Sequence, residues 1–364
     1  MTRRDVVITG IGLVSSLGEG PEAHWAALHG GAAPVVDSAS FAPFPVHPLP
    51  ALSLDAQIPK KGDQRQMEPW QRLGTYAAGL AIDHAGARGL VSDMHLVVAA
   101  GGGERDVAVD EAVTAALTSA APEASGALLN EKLATELRPT LFLAQLSNLL
   151  AGNISIVHGV TGSSRTLMGE EEAAADAIRI AAARLAEGRG EIALVGGAFA
   201  SQRWDMVLLY APGGVLWQGD YAPISARGDA GGLMLGAMAA FLVLETAEHA
   251  QARGAKALAR IGAIASDAAH QRAGGGSATA AAAIVGRFRS RPMTSAANAR
   301  IRFEMESAPP IGTPKIPARR NSAKNDNTEA SIHTTVDNQP TGIPSNEARS
   351  LRSAAARTAV PSVV

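Results

Sequence analysis

Three consecutive carboxylates, Glu170-Glu171-Glu172, head a long alanine-rich helical pattern. Carboxylates in a first helical turn satisfy free peptide N–H groups and the positive end of the helix dipole. The rest of the chain offers less chemistry. Cysteine is absent, which removes disulfides, thiolate metal sites, Fe–S clusters and every cysteine nucleophile. The histidines (His24, His29, His47, His84, His95, His158, His249, His270 and His333) are scattered, with no ligand-spaced pair, so no metal site is expected. Gly10-Ile11-Gly12-Leu13-Val14-Ser15 follows a strand pattern, but Ser15 stands where a dinucleotide loop needs its third glycine. No acidic residue closes a following strand about twenty residues on, so a tight strand-to-loop turn is the plainer reading. Gly101-Gly102-Gly103 lacks the Gly-Lys-Ser/Thr of a phosphate loop, and Ser163-Ser164-Arg165 lacks the frame of a nucleophile elbow. No cofactor is expected.

The elements that must position these residues read as alternating strands and helices. Asp5–Thr9 is a strand ending at Gly10, Glu22–Leu28 a helix stopped by His29-Gly30-Gly31, and Gln66–Gly86 a longer helix. Leu96–Ala100 is a short apolar strand, and Leu141–Ala151 is helical. Glu170–Glu187 is a helix with Ala174, Ile178, Ala181 and Leu185 on one face and Gly188 as its stop. Glu191–Val195 is a buried strand closed by Gly196-Gly197, Leu233–Glu245 a long strand or strand pair, and Thr246–Arg253 a helix. Strands apolar on both faces, alternating with helices, predict a parallel or mixed sheet covered by helices.

Composition bounds the function classes. The chain has 364 residues, 46% hydrophobic and 18% charged, enough to bury a core. The net charge of −2 gives no electrostatic case for nucleic acid. That total hides a break: residues 1–270 carry 19 Lys+Arg against 28 Asp+Glu, and residues 271–364 carry 13 against 6. The second stretch is low in complexity and rich in Pro, Asn, Ser and Thr around 307–344, so a solvated, disordered tail is expected over 271–364. No apolar run reaches the ~18 residues of a membrane span, and the start, MTRRDVVITG, has no secretory segment. A cytoplasmic protein is the default expectation.

Several stretches, in order, resemble the β-ketoacyl-acyl carrier protein synthases, the elongating condensing enzymes of thiolase fold. DVVITGIGLVSSLGEGPEAHWAALHGG resembles their first strand, loop and helix, and QMEPWQRLGTYAAGLAIDHAG their next long helix. LSNLLAGNISIVHGVTG resembles the segment before the nucleophile, and EIALVGGAFA the strand after the nucleophile helix. GGLMLGAMAAFLVLETAEHAQARGAKALARIGAIASDAAH resembles the strands and helix that follow. The resemblance covers residues 1–270. It implies the N-terminal half of a thiolase-like layered α/β/α fold, with a mixed five-stranded sheet between helices and an incomplete C-terminal half. It also implies an acyltransferase of fatty-acid chain elongation, with acyl carrier protein and acyl or malonyl thioesters as partners. The expected assembly is a homodimer, or a heterodimer with a competent synthase.

The departures from the family redirect this expectation. The family carries Thr-Ala-Cys-x-x-Gly at the helix start. A gapless register puts Gly169-Glu170-Glu171-Glu172-Ala173-Ala174 there, with Glu171 in the cysteine position. A register anchored on Gly169 would make Thr166 the replacement but needs a five-residue insertion in the helix. A glutamate there is a poor acyl acceptor, because its mixed anhydride hydrolyses readily, and it would repel a malonyl carboxylate. The family's two histidine segments and its Gly-Phe-Gly-Gly loop have no match after His270, and His333 in Ser-Ile-His-Thr-Thr does not fit. Ala237-Met238-Ala239-Ala240 stands where the family has an acidic residue and glycines. The leading expectation is therefore a homologue unable to condense alone that acts as a chain-length-factor-like subunit. The alternatives are a malonyl decarboxylase or thioesterase using Glu171 as base, a non-functional remnant truncated or frame-shifted near Gln271, and, more remotely, a nucleotide-dependent oxidoreductase.

Overall fold

The computed structural model describes residues 3–264 apart from 102, 104, 138–140, 169–172, 229, 230 and 263. The expected tail of 271–364 lies outside the described residues. The strands are β1 (Val6–Ser15), β2 (Gly18–Glu19), β3 (Val46–His47), β4 (His95–Ala100), β5 (Ser164–Leu167), β6 (Ile192–Ala200), β7 (Leu235–Thr246) and β8 (Ala259–Arg260). The helices are α1 (Gly20–His29), α2 (Lys61–Gln66), α3 (Pro69–His84), α4 (Val107–Ser119) and α5 (Ser125–Glu136). They continue as α6 (Leu141–Ala144), α7 (Leu149–His158), α8 (Ala173–Ala186), α9 (Trp204–Tyr210) and α10 (Ala247–Ala252).

One mixed sheet organises them, in the order β2-β1-β7-β6-β4-β5. β7 runs antiparallel to both its long neighbours, β1 and β6, while β6, β4 and β5 are mutually parallel. The carboxyl ends of β1, β6, β4 and β5 therefore lie along one rim. β1, β7, β6, β4 and β5 make the mixed five-stranded sheet the resemblance implies, although no strand is read from the sequence at Ser164–Leu167, and the short β2, β3 and β8 extend it. One face packs on α3 and α7 through Leu73, Tyr76, Ile154, Leu194 and Phe241. The other packs on α8 through Val97, Ala177, Ala181, Leu185 and Val195. This is the layered α/β/α arrangement.

Two glycine pairs expected to end strands lie inside them instead. β1 continues through Gly10 and Gly12 to Ser15, because α3 presses directly on this strand. A Cβ would come within 2.4 Å of the Ala81 carbonyl oxygen at Gly10 and within 1.9 Å of the Ala77 oxygen at Gly12. The glycines are a close-approach surface for a helix and not a nucleotide loop. β6 likewise continues through Gly196-Gly197, where a Cβ would meet the Ala240 and Ala99 carbonyl oxygens.

Other boundaries shift for local reasons. The helix expected over Gln66–Gly86 is α3, which starts only at Pro69 because Met67 is extended and Glu68-Pro69 opens the helix; Gln66 instead ends the separate α2. Glu68 and Gln71 form a reciprocal capping box there, with Glu68 N–H donating to Gln71 Oε1 at 3.0 Å. The run over Leu141–Ala151 breaks between α6 and α7. On α8 the buried stripe is Ala173, Ala177, Ala181, Ala182 and Leu185, while Ala174 is exposed, so the core-facing side is turned relative to expectation. Gly188, at φ 81°, lies just beyond the helix, as expected. Leu235–Thr246 is a single strand, and Thr246 caps α10 by accepting from His249 N–H.

A buried charge secures the centre. Glu245, fully buried on β7, accepts from Thr9 Oγ1 and from Arg253 through Nε at 2.7 Å and Nη2 at 2.6 Å. His249 Nδ1 lies 2.7 Å from Oε2, the oxygen that also accepts from Arg253 Nε, and Arg253 donates to the Ala85 carbonyl as well. Desolvation pushes the Glu245 carboxyl up, but Arg253, Thr9 and His249 outweigh it and hold the pKa below its ordinary value.

Candidate functional site

The start of α8 sits at the carboxyl rim of the parallel strands. β4 and β6 are in register from His95↔Ala193 to Ala100↔Ala198, and β5 ends with Leu167 opposite Ala99. Ala173, the first described residue of α8, is buried against this layer together with Val97 and Ala99. Residues 169–172 join exposed Met168 to Ala173. Gly169, Glu170, Glu171 and Glu172 thus lie outside the described residues. Thr166, the alternative candidate, lies within β5 opposite Val98, half-buried. A helix N-terminus behind the ends of parallel strands is a general place for binding negative charge.

The loops around this rim are pinned. Arg203 donates to the Gly103 carbonyl at 2.9 Å and pairs with Asp205 at 2.8 Å, tying the loop after β4 to the start of α9. Asp205 also accepts from Arg105 N–H, and Arg105 pairs with Asp110, which raises the guanidinium pKa. Ser201 extends the β6–β7 pairing: its N–H and hydroxyl both donate to the Gly236 carbonyl, and its oxygen accepts from Gly236 N–H. Gln202 Oε1 is buried there without a partner among the described residues. Phe199, 42% exposed, and Met238, 51% exposed, face each other across β6 and β7 on the α8 side of the sheet. Ala237 and Ala239 point to the opposite, buried side.

The imidazoles do not gather at α8. His24 bonds Ser15 and the Gly20 carbonyl, His84 bonds Ile11, and His95 bonds Ser163. His158 lies between Arg88 and the Thr75 carbonyl, His249 lies on Glu245, and His29 stacks on Trp25. His47 bonds the Val35 carbonyl. His270 and His333 lie outside the described residues. Among the described residues no cluster of His, Asp and Glu is arranged to hold a metal ion. No helix among them is long and apolar enough to cross a membrane. Ser163 also receives Arg184 Nη2 at 3.3 Å, but it is exposed, with no nucleophile elbow around it. The pairing of Ser15 with His24, nine positions apart at a hairpin and a helix, matches no motif spacing and was not foreseeable from sequence.

The family profile described as "Beta-ketoacyl synthase, N-terminal domain" matches residues 3–250. Among curated relatives, the 3-oxoacyl-[acyl-carrier-protein] synthase 2 of Vibrio cholerae is 27% identical over 271 residues, covering 72% of this chain and 62% of the relative. Among solved structures, a β-ketoacyl synthase from Burkholderia phymatum is 26% identical with a TM-score of 0.55, over 72% of this chain and 63% of that one. The ishigamide ketosynthase/chain length factor, 24% identical with a TM-score of 0.58 over 71% of this chain and 62% of that one, shares the fold. The chain spans less than two thirds of the length of these proteins. With the sheet order, the two helical layers and the α8 rim in place, the chain belongs to the β-ketoacyl synthase family, through that family's thiolase-like N-terminal domain.

Proposed function

We propose that this chain is a β-ketoacyl synthase homologue that does not condense acyl groups by itself and serves as a chain-length-factor-like subunit. It would pair with a cysteine-bearing synthase and engage acyl carrier protein. The observation that carries this reading is the complete absence of cysteine in a chain that retains β5, α8 and β6, the elements around the family's nucleophile. In the gapless register Glu171 takes the nucleophile's place. A thiol at a helix N-terminus is acidified and forms a thioester beside free N–H groups. A carboxylate is stabilised there as an anion, gives only a hydrolysable mixed anhydride, and repels malonyl. The helix itself is retained from Ala173 onwards, and the acyl acceptor is lost.

The test is a reconstitution. The purified chain, given acyl- and malonyl-acyl carrier protein, is expected to form no ketoacyl product; addition of a competent synthase restores product and changes its length distribution. Turnover by the chain alone overturns the proposal. Glu171→Cys supplies a separate check of the register, because it introduces the chain's sole thiol. At a helix N-terminus that thiol alkylates with a midpoint below the ~8.5 of free cysteine; a midpoint at or above that value removes Glu171 from this position.

A further inference from the structure

A second group of reactive side chains lies at the carboxyl end of β1, where it turns into β2 and meets α1. Ser15 Oγ lies 2.7 Å from His24 Nε2, and His24 Nδ1 lies 2.7 Å from the Gly20 carbonyl oxygen. A carbonyl only accepts, so Nδ1 carries a proton, and in the neutral ring Nε2 then presents its lone pair. The Ser15 hydroxyl is therefore the donor to Nε2. Its oxygen also accepts from Leu17 N–H at 3.1 Å, which fixes the hydroxyl without using its proton. His24 is 7% exposed, so its ring is held by packing. Serine, imidazole and an orienting acceptor stand in the relation that activates a hydroxyl nucleophile.

Ser15 opens onto a cavity of about 350 Å³. Leu17, Leu28 and Val35 form apolar wall, and His47 and Tyr221 bring polar groups to it. His47 donates from Nδ1 to the Val35 carbonyl at 2.9 Å, and its ring meets Tyr221 edge-on. Its Nε2 has no partner among the described residues. A mostly apolar groove with a few polar groups at a nucleophile suits a small acyl group carried as an ester or thioester.

We propose that Ser15 and His24 form a second, acyl-hydrolysing site in this chain, acting on short acyl esters or thioesters held in the groove beside Tyr221. Ser15 Oγ attacks the acyl carbonyl as His24 Nε2 takes the hydroxyl proton. The tetrahedral intermediate collapses, the C–O or C–S bond breaks, and the leaving alkoxide or thiolate takes that proton from His24. Water then attacks the acyl-serine, giving its proton to Nε2, and the acid departs as Ser15 regains the proton. No redox partner is needed, and the site is independent of Glu171.

The experiment treats the full-length chain with a fluorophosphonate and maps the adduct by peptide mass spectrometry, alongside hydrolysis of p-nitrophenyl butyrate. The expected adduct is on Ser15. Ester turnover is expected to fall about 100-fold in both Ser15→Ala and His24→Gln, the scale of a lost nucleophile or general base. The wild-type labelling needs no variant, so a misfolded mutant cannot decide the outcome. Absence of an adduct, or an adduct on another serine such as Ser163, overturns the proposal. So does a Ser15 adduct that forms at the same rate in a folded His24→Gln protein, since Ser15 would then merely close the hairpin.

Discussion

At the scale of single residues, His158 makes the most specific demand. Its Nε2–H donates to the Thr75 carbonyl at 2.8 Å, and its Nδ1 accepts from Arg88 Nη1 at 3.0 Å. Arg88 is itself anchored by Asp83 and Gln57. Burial is the main cause that lowers the His158 pKa from 6.5 to about 4; the nearby Arg88 charge adds to it, and the Thr75 carbonyl opposes it. The folded state thus holds the neutral ring, whereas the unfolded chain protonates near 6.5. Stability is complete above that pH and falls as the pH drops towards 4, by about 2 kcal/mol at pH 5. Asp83 and Glu245 have lowered values and add to the loss only at lower pH. Melting followed from pH 7 to pH 5 should show the decline, and His158→Gln should flatten it; a wild-type protein with constant melting temperature refutes the assignment. Glu245→Gln should cost about 3–5 kcal/mol, because Arg253 is left without its buried counter-charge, and chemical denaturation measures it. Neither residue was singled out in the sequence. A histidine among scattered histidines, or an acidic residue at a strand end, shows its role only once distant partners such as Thr75 and Thr9 arrive beside it.

Among the elements, glycines separate sites of contact from sites of mere flexibility. Gly12→Ala pushes a methyl into the backbone of α3 and should destabilise by about 3 kcal/mol or more. Gly62→Ala, on α2 with nothing within 4 Å, should stabilise by about 0.5–1 kcal/mol through helix propensity. Thermal unfolding of the two variants side by side checks both, and equal effects would discard the close-approach account. The same pair explains what periodicity could and could not disclose. β4, α8 and β7 were legible because each carries a strong apolar signal. From sequence alone β1 and β6 end at their glycines, because glycine usually ends a strand and only the neighbouring helix or strand makes it necessary inside one. α4 and α5 were not anticipated: Val113 is the buried residue of α4, and α5 has none, so no apolar stripe marks them. Glu171 is singled out by family register alone, since nothing intrinsic distinguishes three glutamates at a helix start from an ordinary helix cap, and it lies outside the described residues.

For the whole molecule, the two sides of the sheet are unequally covered. α3 and α7 bury one side, while α8 leaves Met238, Ala240 and Phe199 exposed on the other among the described residues. With half-buried Leu13 and Leu242 they form an apolar strip across β1, β7 and β6. Such a strip favours dye binding and self-association. Met238→Lys should lower anilinonaphthalene sulfonate fluorescence about two-fold and reduce concentration-dependent sedimentation; an unchanged signal in both would locate the sticky surface elsewhere. The central place of β7 carries a different consequence. It joins β1, at the start of the chain, to β6, so Val6 pairs with Thr246. During translation β1 must wait for β7 before its main ladder closes. Acquisition of the native topology is then governed by a very distant encounter and is expected to be slow, with the nascent chain dependent on protection until Thr246 clears the ribosome.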